Sequence, residues 1–184
     1  IESVINLSKG PSGNNINLPD GMTATKGYNE LVISKTEYNT IPFPILDNDY
    51  KISIPGELSI PGWKITTARK EAPQEYPERA ETLGGTAWLN LTGKQPVEFL
   101  IVRNRRPGDR FHPKGLAGRK KLQDFMVDAH IPRLWRDRIP VVESTSGIAW
   151  VVGWRTAEWA SPIAGHPSVE MCFTRTSENE SSTQ

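Results

Sequence analysis

Glycine and proline limit this chain to short elements of secondary structure. Its 184 residues include 15 glycines and 15 prolines, and both residue types interrupt helices rather than continue them. Between these breaks, runs such as 50–54 and 63–67 alternate apolar and polar residues, with the period of two that is typical of strands. We therefore predict a strand-rich α+β fold, with short-stranded antiparallel or mixed sheets and one or two short helices.

Two groups of predicted strands have recognisable connections. Strands at Tyr50–Ile54, Leu58–Ile60 and Trp63–Thr67 are separated only by Pro-Gly pairs, which predicts a three-stranded meander. Val141–Glu143 and Ile148–Trp154 flank the run Ser-Thr-Ser-Gly, which predicts a hairpin. Further strands are predicted at Met22–Tyr28, Leu31–Ser34, Thr86–Leu91, Val97–Val102 and Val169–Thr174.

The composition changes along the chain and predicts four segments. Residues 1–70 are expected to form an N-terminal strand-rich subdomain, and residues 86–176 a C-terminal domain. Between them, residues 71–85 are acidic, contain prolines and lack periodicity, which indicates a linker or a disordered loop. Residues 177–184 have no apolar anchor and are expected to be a disordered tail. The first residues resemble the end of a helix whose beginning is missing, so we expect a piece of a longer polypeptide.

Half of the basic residues lie in one stretch, Arg103–Arg138. This stretch holds eleven of the 22 lysines and arginines against four aspartates, a net charge of +7, while the remainder of the chain holds eleven basic and 17 acidic residues, a net charge of −6. Phosphates attract such a region without any reading of bases. The charge distribution therefore predicts a polyanionic partner.

The basic stretch also contains two recognisable local signals. Arg106–Asp109 places Pro and Gly at the two central positions of a type II turn. Gly115–Gly118 precedes a run whose apolar residues recur at helical spacing. These apolar residues are Leu122, Phe125, Met126 and Ala129. We expect Leu122, Phe125 and Met126 to face the core, and Lys120, Lys121 and Asp124 to face solvent.

We expect Arg119, Lys120 and Lys121 to lie at the start of this helix. The unpaired backbone N–H groups and the positive end of the helix dipole favour phosphate binding there. A plainer interpretation is a solvated face in which Lys120 pairs with Asp124. Arg103, at the end of a predicted strand, is expected to pair with Asp109 or Asp137.

The sequence contains none of the patterns typical of a catalytic or metal site. Cys172 is the one cysteine, which excludes a disulfide within the chain, predicts a small buried side chain and fits a reducing cytoplasm. The run G-x-x-x-x-G-K-[ST] of a Walker loop and the run G-x-S-x-G are both absent. Neither a signal sequence nor an apolar run of the roughly 20 residues that a membrane span needs is present.

Three motifs together resemble a known family. The runs VRNRRPGDRF, GLAGRKKLQDFMVDAHIPRLWRDRIPVV and GIAWVVGWR are similar, in order and separation, to the C-terminal region of bacterial tRNA(Ile)-lysidine synthetases. The close similarity covers residues 97–155. His130 and Asn90 differ from the residues that the family often has at these positions, a Lys or Arg and an Asp.

The resemblance implies a function in tRNA modification. In this family an ATP-dependent ligase attaches lysine to the wobble cytidine of tRNA(Ile) by way of an adenylated intermediate. Its catalytic N-terminal domain carries an S-G-G-x-D-S loop, which this sequence lacks. ATP and Mg²⁺ are therefore expected in that separate domain, and the chain alone is expected to have no cofactor and no activity.

The resemblance also implies a fold and a set of partners. The C-terminal region of the family has a three-layer α+β arrangement and recognises the tRNA, including its acceptor stem, which assigns tRNA binding to residues 86–176. The expected partners are tRNA(Ile) and the protein's own catalytic domain, in the cytoplasm and away from membranes; a homodimer is left open. The predicted tRNA-binding residues are Arg105, Arg106, Arg110, Lys114, Arg119, Lys120, Lys121, Arg133 and Arg136.

Two alternatives remain open at this point. In the first, the chain is a structural module that does not bind RNA, and its basic region docks on an acidic face of the catalytic domain. Trp135 and His112 lie among the basic residues, where they either pack within the protein or contact RNA by stacking on a base or touching a phosphate.

Overall fold

The computed structural model describes residues 2–10, 14–26, 31–34, 44–75, 85–91 and 97–176. Within these ranges the helices are α1 (Glu2–Lys9) and α2 (Leu122–Asp128), and 3-10 turns cover Pro19–Gly21, Arg133–Trp135 and Glu158–Ala160. The strands are β1 (Asn15–Asn17), β2 (Thr23–Lys26), β3 (Leu31–Ser34), β4 (Tyr50–Ser53), β5 (Gly56–Ile60), β6 (Trp63–Glu71), β7 (Gly85–Leu89), β8 (Phe99–Arg103), β9 (Arg110–Phe111), β10 (Lys120–Lys121), β11 (Val141–Ser144), β12 (Gly147–Val151), β13 (Arg155–Thr156) and β14 (Pro167–Arg175).

The chain divides into two compact units. The first comprises Ile1–Pro42 and Gln123–Asp137, and the second comprises Phe43–Leu122 and Arg138–Gln184. In the first unit, α1 packs near the antiparallel sheet β1-β2-β3. The β2–β3 pairing confirms the predicted strands on either side of residues 27–30, which lie outside the described residues.

Two antiparallel sheets build the second unit. One has the strand order β13-β12-β11-β8-β4, and the other has the order β5-β6-β14-β7. The two sheets meet where Phe173 of β14 contacts Trp150 of β12 edge to face, with 5.4 Å between the ring centroids. Within its own sheet, Phe173 also contacts Trp63 of β6, with 5.6 Å between the centroids. All pairings in the described strands are antiparallel, so the predicted strand-rich α+β class is confirmed without the mixed sheets. The three-layer arrangement stays a prediction.

Strand β14 occupies the interior of the four-stranded sheet, between β6 and β7. Its alternation buries Val169, Met171 and Phe173 on the face that carries the aromatic contacts. Cys172 points to the opposite face and is only half-buried, so the predicted burial of this cysteine is wrong. Because side chains alternate along a strand, Cys172, between the core residues Met171 and Phe173 in the sequence, lies on the opposite face of the sheet.

The predicted strand partners differ from those observed. The hairpin of β11 and β12 is confirmed, although Trp154 lies beyond the end of β12. The meander is wrong, because β4 pairs with β8, and only β5 and β6 pair with each other. Alternation within a strand shows which residues share a face, but it carries no information about a partner that is distant in sequence.

The units do not coincide with the predicted boundary at residue 70, which falls inside β6. Strands β4 and β6, from the predicted subdomain 1–70, pair with β8 and β14, from the predicted domain 86–176. The first part of the predicted linker 71–85 is also ordered. Ala72 is buried, donates its N–H to the His166 carbonyl and accepts from the Gly165 N–H. Residues 76–84 and the predicted tail 177–184 lie outside the described residues.

Helix α2 has the apolar face that its sequence predicts. Leu122, Phe125 and Met126 are buried, whereas Asp124 on the other face is exposed. The helix begins at Leu122, later than predicted. Pro132 precedes a single 3-10 turn, Arg133–Trp135, rather than starting a longer helix.

The described part of the chain contains neither a membrane-spanning helix nor a group of metal ligands. None of its helices is both long and apolar enough to cross a membrane. Its His, Cys, Asp and Glu side chains form no group of three that is placed to hold a metal ion.

The burial of Phe125, which is 5 % exposed, generates a stability prediction. We expect Phe125→Ala to lower the free energy of unfolding by about 3–5 kcal/mol, because the substitution leaves a cavity in the core. The exposed neighbour Val127 is the control, and Val127→Ala is expected to change this free energy by less than about 1 kcal/mol. Denaturant unfolding measures both values, and equal losses would contradict the assigned helix face.

Candidate nucleic-acid interface

A buried arginine organises the beginning of the basic stretch. Arg103 ends β8 with a side chain that is 1 % exposed. Its Nη1 and Nη2 donate to Oδ2 and Oδ1 of Asp109 at 2.9 and 3.0 Å, and its Nε donates to Oε2 of Glu143 at 2.6 Å. Nη1 also donates to the Asn104 carbonyl at 3.0 Å. The guanidinium therefore has two carboxylate partners, which a buried charge needs.

The sheet supplies one of these carboxylates. Glu143 lies on β11, the neighbour of β8, beside an irregularity in the β11–β12 register between Val142 and Glu143. Burial lowers the pKa of Arg103, but the hydrogen bonds that Arg103 donates to Glu143 and Asp109, together with the negative charge of these carboxylates, outweigh burial and raise the pKa above its usual value. Arg103 therefore stays charged, and its pairing with Asp109 confirms one of the two predicted partners. Glu143, rather than Asp137, is the second.

The other carboxylate closes the predicted turn. Asp109 Oδ2 accepts the Arg106 N–H at 2.7 Å, and the Asp109 N–H donates to the Arg106 carbonyl at 3.2 Å. Gly108 has φ of 87°, the value that the third residue of a type II turn requires. Burial raises the pKa of Asp109, but hydrogen bonds from Arg103 and from the Arg106 N–H have the larger combined effect and lower it.

A two-stranded ribbon follows the turn and carries cations on one face. β9 pairs with β10 in a register that sets Arg110 opposite Lys121 and Phe111 opposite Lys120. Phe111 is buried and Lys120 is half-buried, whereas Arg110 and Lys121 are exposed. Like charges directly opposite each other in a sheet are unfavourable. Arg119, which is also exposed, lies directly before β10.

The ribbon corrects the predicted phosphate site at a helix start. Lys120 and Lys121 form strand β10, and α2 begins only at Leu122. The Leu122 N–H, at the start of that helix, donates to the Asp109 carbonyl at 2.8 Å. A strand of two residues is too short to show a periodicity, so the prediction assigned its residues to the helix. The expectation that Lys120 faces solvent like Lys121 is also wrong.

The loop between β9 and β10 is tied to the rest of the second unit. The Lys114 N–H donates to the Thr156 carbonyl at 2.9 Å, and the Gly115 N–H donates to Oε2 of Glu158 at 2.8 Å. His112 Nε2 lies 2.6 Å from the Leu116 carbonyl oxygen within the same loop, so this histidine has a structural contact. These contacts hold the base of the loop, while its residues from Gly115 to Arg119 are exposed.

The nine predicted tRNA-binding residues are divided between the two units. Seven belong to the second unit, and Arg133 and Arg136 belong to the first. Arg136 donates Nε to the Ile131 carbonyl at 2.9 Å and is half-buried, as is Trp135. Within the second unit the residues divide by exposure. Arg106, Arg110, Arg119 and Lys121 are exposed, and Arg105, Lys114 and Lys120 are half-buried.

Two acidic residues of this region were missed by the sequence analysis. Glu143 binds Arg103, and Asp49 forms an exposed ion pair with Arg106. Both lie far from their partners along the chain. The run Asp47-Asn48-Asp49 was the one available signal, since it places acidic residues directly before a predicted strand.

Comparison with known proteins gives consistent matches. The model of the family described as the TilS substrate C-terminal domain matches residues 100–166. The tRNA(Ile)-lysidine synthase of Dehalococcoides mccartyi is 30 % identical over 87 % of this chain and 33 % of its own length. That of Caldanaerobacter subterraneus is 33 % identical over 86 % of this chain and 32 % of its own length. The chain thus spans about a third of the length of these relatives.

A solved structure matches as well. The crystal structure of a TilS C-terminal domain is similar with a TM-score of 0.53 and 30 % sequence identity. The match covers 71 % of this chain and all of that one.

The buried ion pair generates a second stability prediction. Asp109→Ala is expected to lower the free energy of unfolding by about 3–5 kcal/mol, because it removes one partner of a buried charge. Asp49→Ala removes a carboxylate from an exposed pair instead and is expected to cost less than about 1 kcal/mol. Denaturant unfolding compares the two variants, and a small loss for Asp109→Ala would mean that Glu143 alone satisfies Arg103.

The lowered pKa of Asp109 generates a prediction about pH. Because the pKa is lower in the folded than in the unfolded chain, this carboxylate stabilises the fold above its unfolded pKa, and the contribution is lost as pH falls through the folded pKa. We expect the free energy of unfolding to fall between about pH 5 and about pH 2, and to fall less in Asp109→Asn, which does not titrate. Asp124→Asn, at an exposed helix position, is the control, and equal pH dependence in both variants would contradict the prediction.

Proposed function

Because the chain belongs to the family of TilS C-terminal domains, we propose that it is the tRNA-recognition part of a tRNA(Ile)-lysidine synthase. In this proposal the whole enzyme is an ATP-dependent ligase that attaches lysine to the wobble cytidine of tRNA(Ile) in the cytoplasm. The chain contributes binding and no chemistry, since its sequence has no S-G-G-x-D-S loop. ATP and Mg²⁺ belong to the catalytic domain, which is the second proposed partner.

One observation carries the assignment of RNA binding to this chain. Arg110 and Lys121 face each other across the β9–β10 ribbon, and both side chains are exposed. Direct opposition of two cations lowers the stability of the ribbon. A phosphate bound between Arg110 and Lys121 turns this net repulsion into a net attraction, because each cation then has an anionic neighbour. The pairing is therefore expected of a site that binds a polyanion.

The arrangement favours a double-stranded part of the tRNA. The charged ends belong to long side chains on an exposed ribbon, which suits contacts with a phosphate backbone. Double-stranded RNA is held through phosphates and 2′-hydroxyl groups rather than through base edges. We therefore assign the acceptor stem, rather than the anticodon loop, to this surface.

A docking role on the catalytic domain is the second candidate. It is favoured by the contact of Arg106 with the carboxylate of Asp49. The turn Arg106–Asp109, here called the basic turn, already accommodates an acidic side chain. In this alternative the carboxylates come from an acidic face of the catalytic domain. Absence of RNA binding even at low salt would favour this role.

Two exposed cations, Lys121 in β10 and Arg119 directly before β10, generate the functional prediction. We expect Arg119→Ala/Lys121→Ala to lower the slope of log K against log salt concentration by about 1.4–1.8, or about 0.7–0.9 for each lost phosphate contact. The measurement is a filter-binding titration with a tRNA(Ile) transcript at several salt concentrations. Unfolding curves of the variant are expected to match those of the parent, because both side chains are exposed.

The matched control removes two lysines from another face of the same unit. Lys64 and Lys70 lie on β6 and pair with Glu57 and Glu170. Lys64→Ala/Lys70→Ala is expected to leave the slope unchanged. If the affinity of the ribbon variant fell with no change in slope, the phosphates would be bound elsewhere.

A further inference from the structure

Arg103, at the end of β8, and Arg106, in the turn that follows, have opposite environments. Arg103 is buried and bonded to two carboxylates, whereas Arg106, three residues later, pairs with Asp49 at the surface. Its Nη2 donates to Oδ2 of Asp49, and the two side chains are 54 % and 49 % exposed. An ion pair with this exposure contributes little to stability, because water and salt screen it. The Arg106 pair is therefore able to exchange partners, which the Arg103 pair is not.

The backbone, rather than the ion pair, holds Asp49 in its place. On one side, the Leu46 carbonyl accepts a hydrogen bond from Nδ2 of Asn104 at 2.6 Å. On the other side, Tyr50 begins β4 and is in register with Val102 of β8. These two anchors fix the segment around Asp49 beside the end of β8. The carboxylate is thus presented to the basic turn whether or not Arg106 binds it.

Arg106 is held in the same way. Its backbone N–H and carbonyl are both bonded to Asp109, which is itself bonded to the buried Arg103. The contact between Arg106 and Asp49 is therefore a contact of side chains on two fixed backbones. Its exchange requires only a change of rotamer.

We propose that Asp49 occupies the position of an RNA phosphate on Arg106 and that tRNA displaces it. A carboxylate and a phosphate present similar oxygen pairs to a guanidinium, so one replaces the other without a change in the arginine. Asp49 then weakens RNA binding by competing for Arg106 and excludes weaker anions from it. This inference rests on the proposed function and adds an acidic competitor to the same site.

The test compares two aspartates of one segment. Asp49→Asn removes the competing charge, and Asp47→Asn removes an equal charge two residues away, where the carboxylate accepts from the Tyr50 hydroxyl instead of a cation. Binding of a tRNA(Ile) transcript is measured at one fixed salt concentration. We expect Asp49→Asn to tighten binding by about two- to fivefold relative to Asp47→Asn, the range of an exposed ion pair.

A second pair of variants separates competition from general charge. In an Arg106→Gln background the two asparagine variants are expected to bind equally, because no guanidinium remains for Asp49 to cover. A persistent advantage of Asp49→Asn in that background would overturn the proposal, as would weaker binding of Asp49→Asn than of the parent, which would make Asp49 an orienting partner. If the parent chain binds no tRNA at low salt, the proposed function fails. If it binds and the two asparagine variants are equal in the parent background, only the competition by Asp49 is excluded.

Discussion

The structure of the basic stretch depends on the buried charge of Arg103. A guanidinium without water must be matched by fixed acceptors, and here Asp109 and Glu143 supply them from a turn and from a neighbouring strand. Asp109 also closes the turn through the Arg106 N–H. One interaction therefore joins the end of β8, strand β11 and the turn that leads into the β9–β10 ribbon.

Charge is used in two ways within a few residues. Arg103 is paired in the interior and maintains the shape of the region, while Arg106, Arg110 and Lys121 present their charges at the surface. Arg110 and Lys121 repel each other across the ribbon, an arrangement that a purely structural surface has no reason to keep. The turn tolerates this repulsion because its stability comes from the carboxylates of Asp109 and Glu143, which bind Arg103.

Local features were predictable from the sequence, and distant partnerships were not. Pro107 and Gly108 indicated the turn, the apolar spacing in α2 indicated its buried face, and the run before Gly147 indicated the β11–β12 hairpin. The resemblance to the family was confirmed as well. The pairings β4–β8 and β6–β14 and the contacts of Asp49 and Glu143 join residues far apart in sequence, where hydrophobic periodicity gives no signal. The ribbon was missed because two-residue strands are too short to show a period.

The interior position of β14 has a consequence for the order in which the protein forms during translation. β14 pairs with β6 over nine residues, at sequence separations from 96 (Glu71 with Pro167) to 112 (Trp63 with Arg175). The ribosome therefore makes β6 and β7 long before the strand that joins them. Until then β6 is paired only with β5, and β7 has no partner in the described sheet. Unpaired strand edges pair readily with other chains. Closure of this sheet is a late event in synthesis, governed by contacts of high sequence separation.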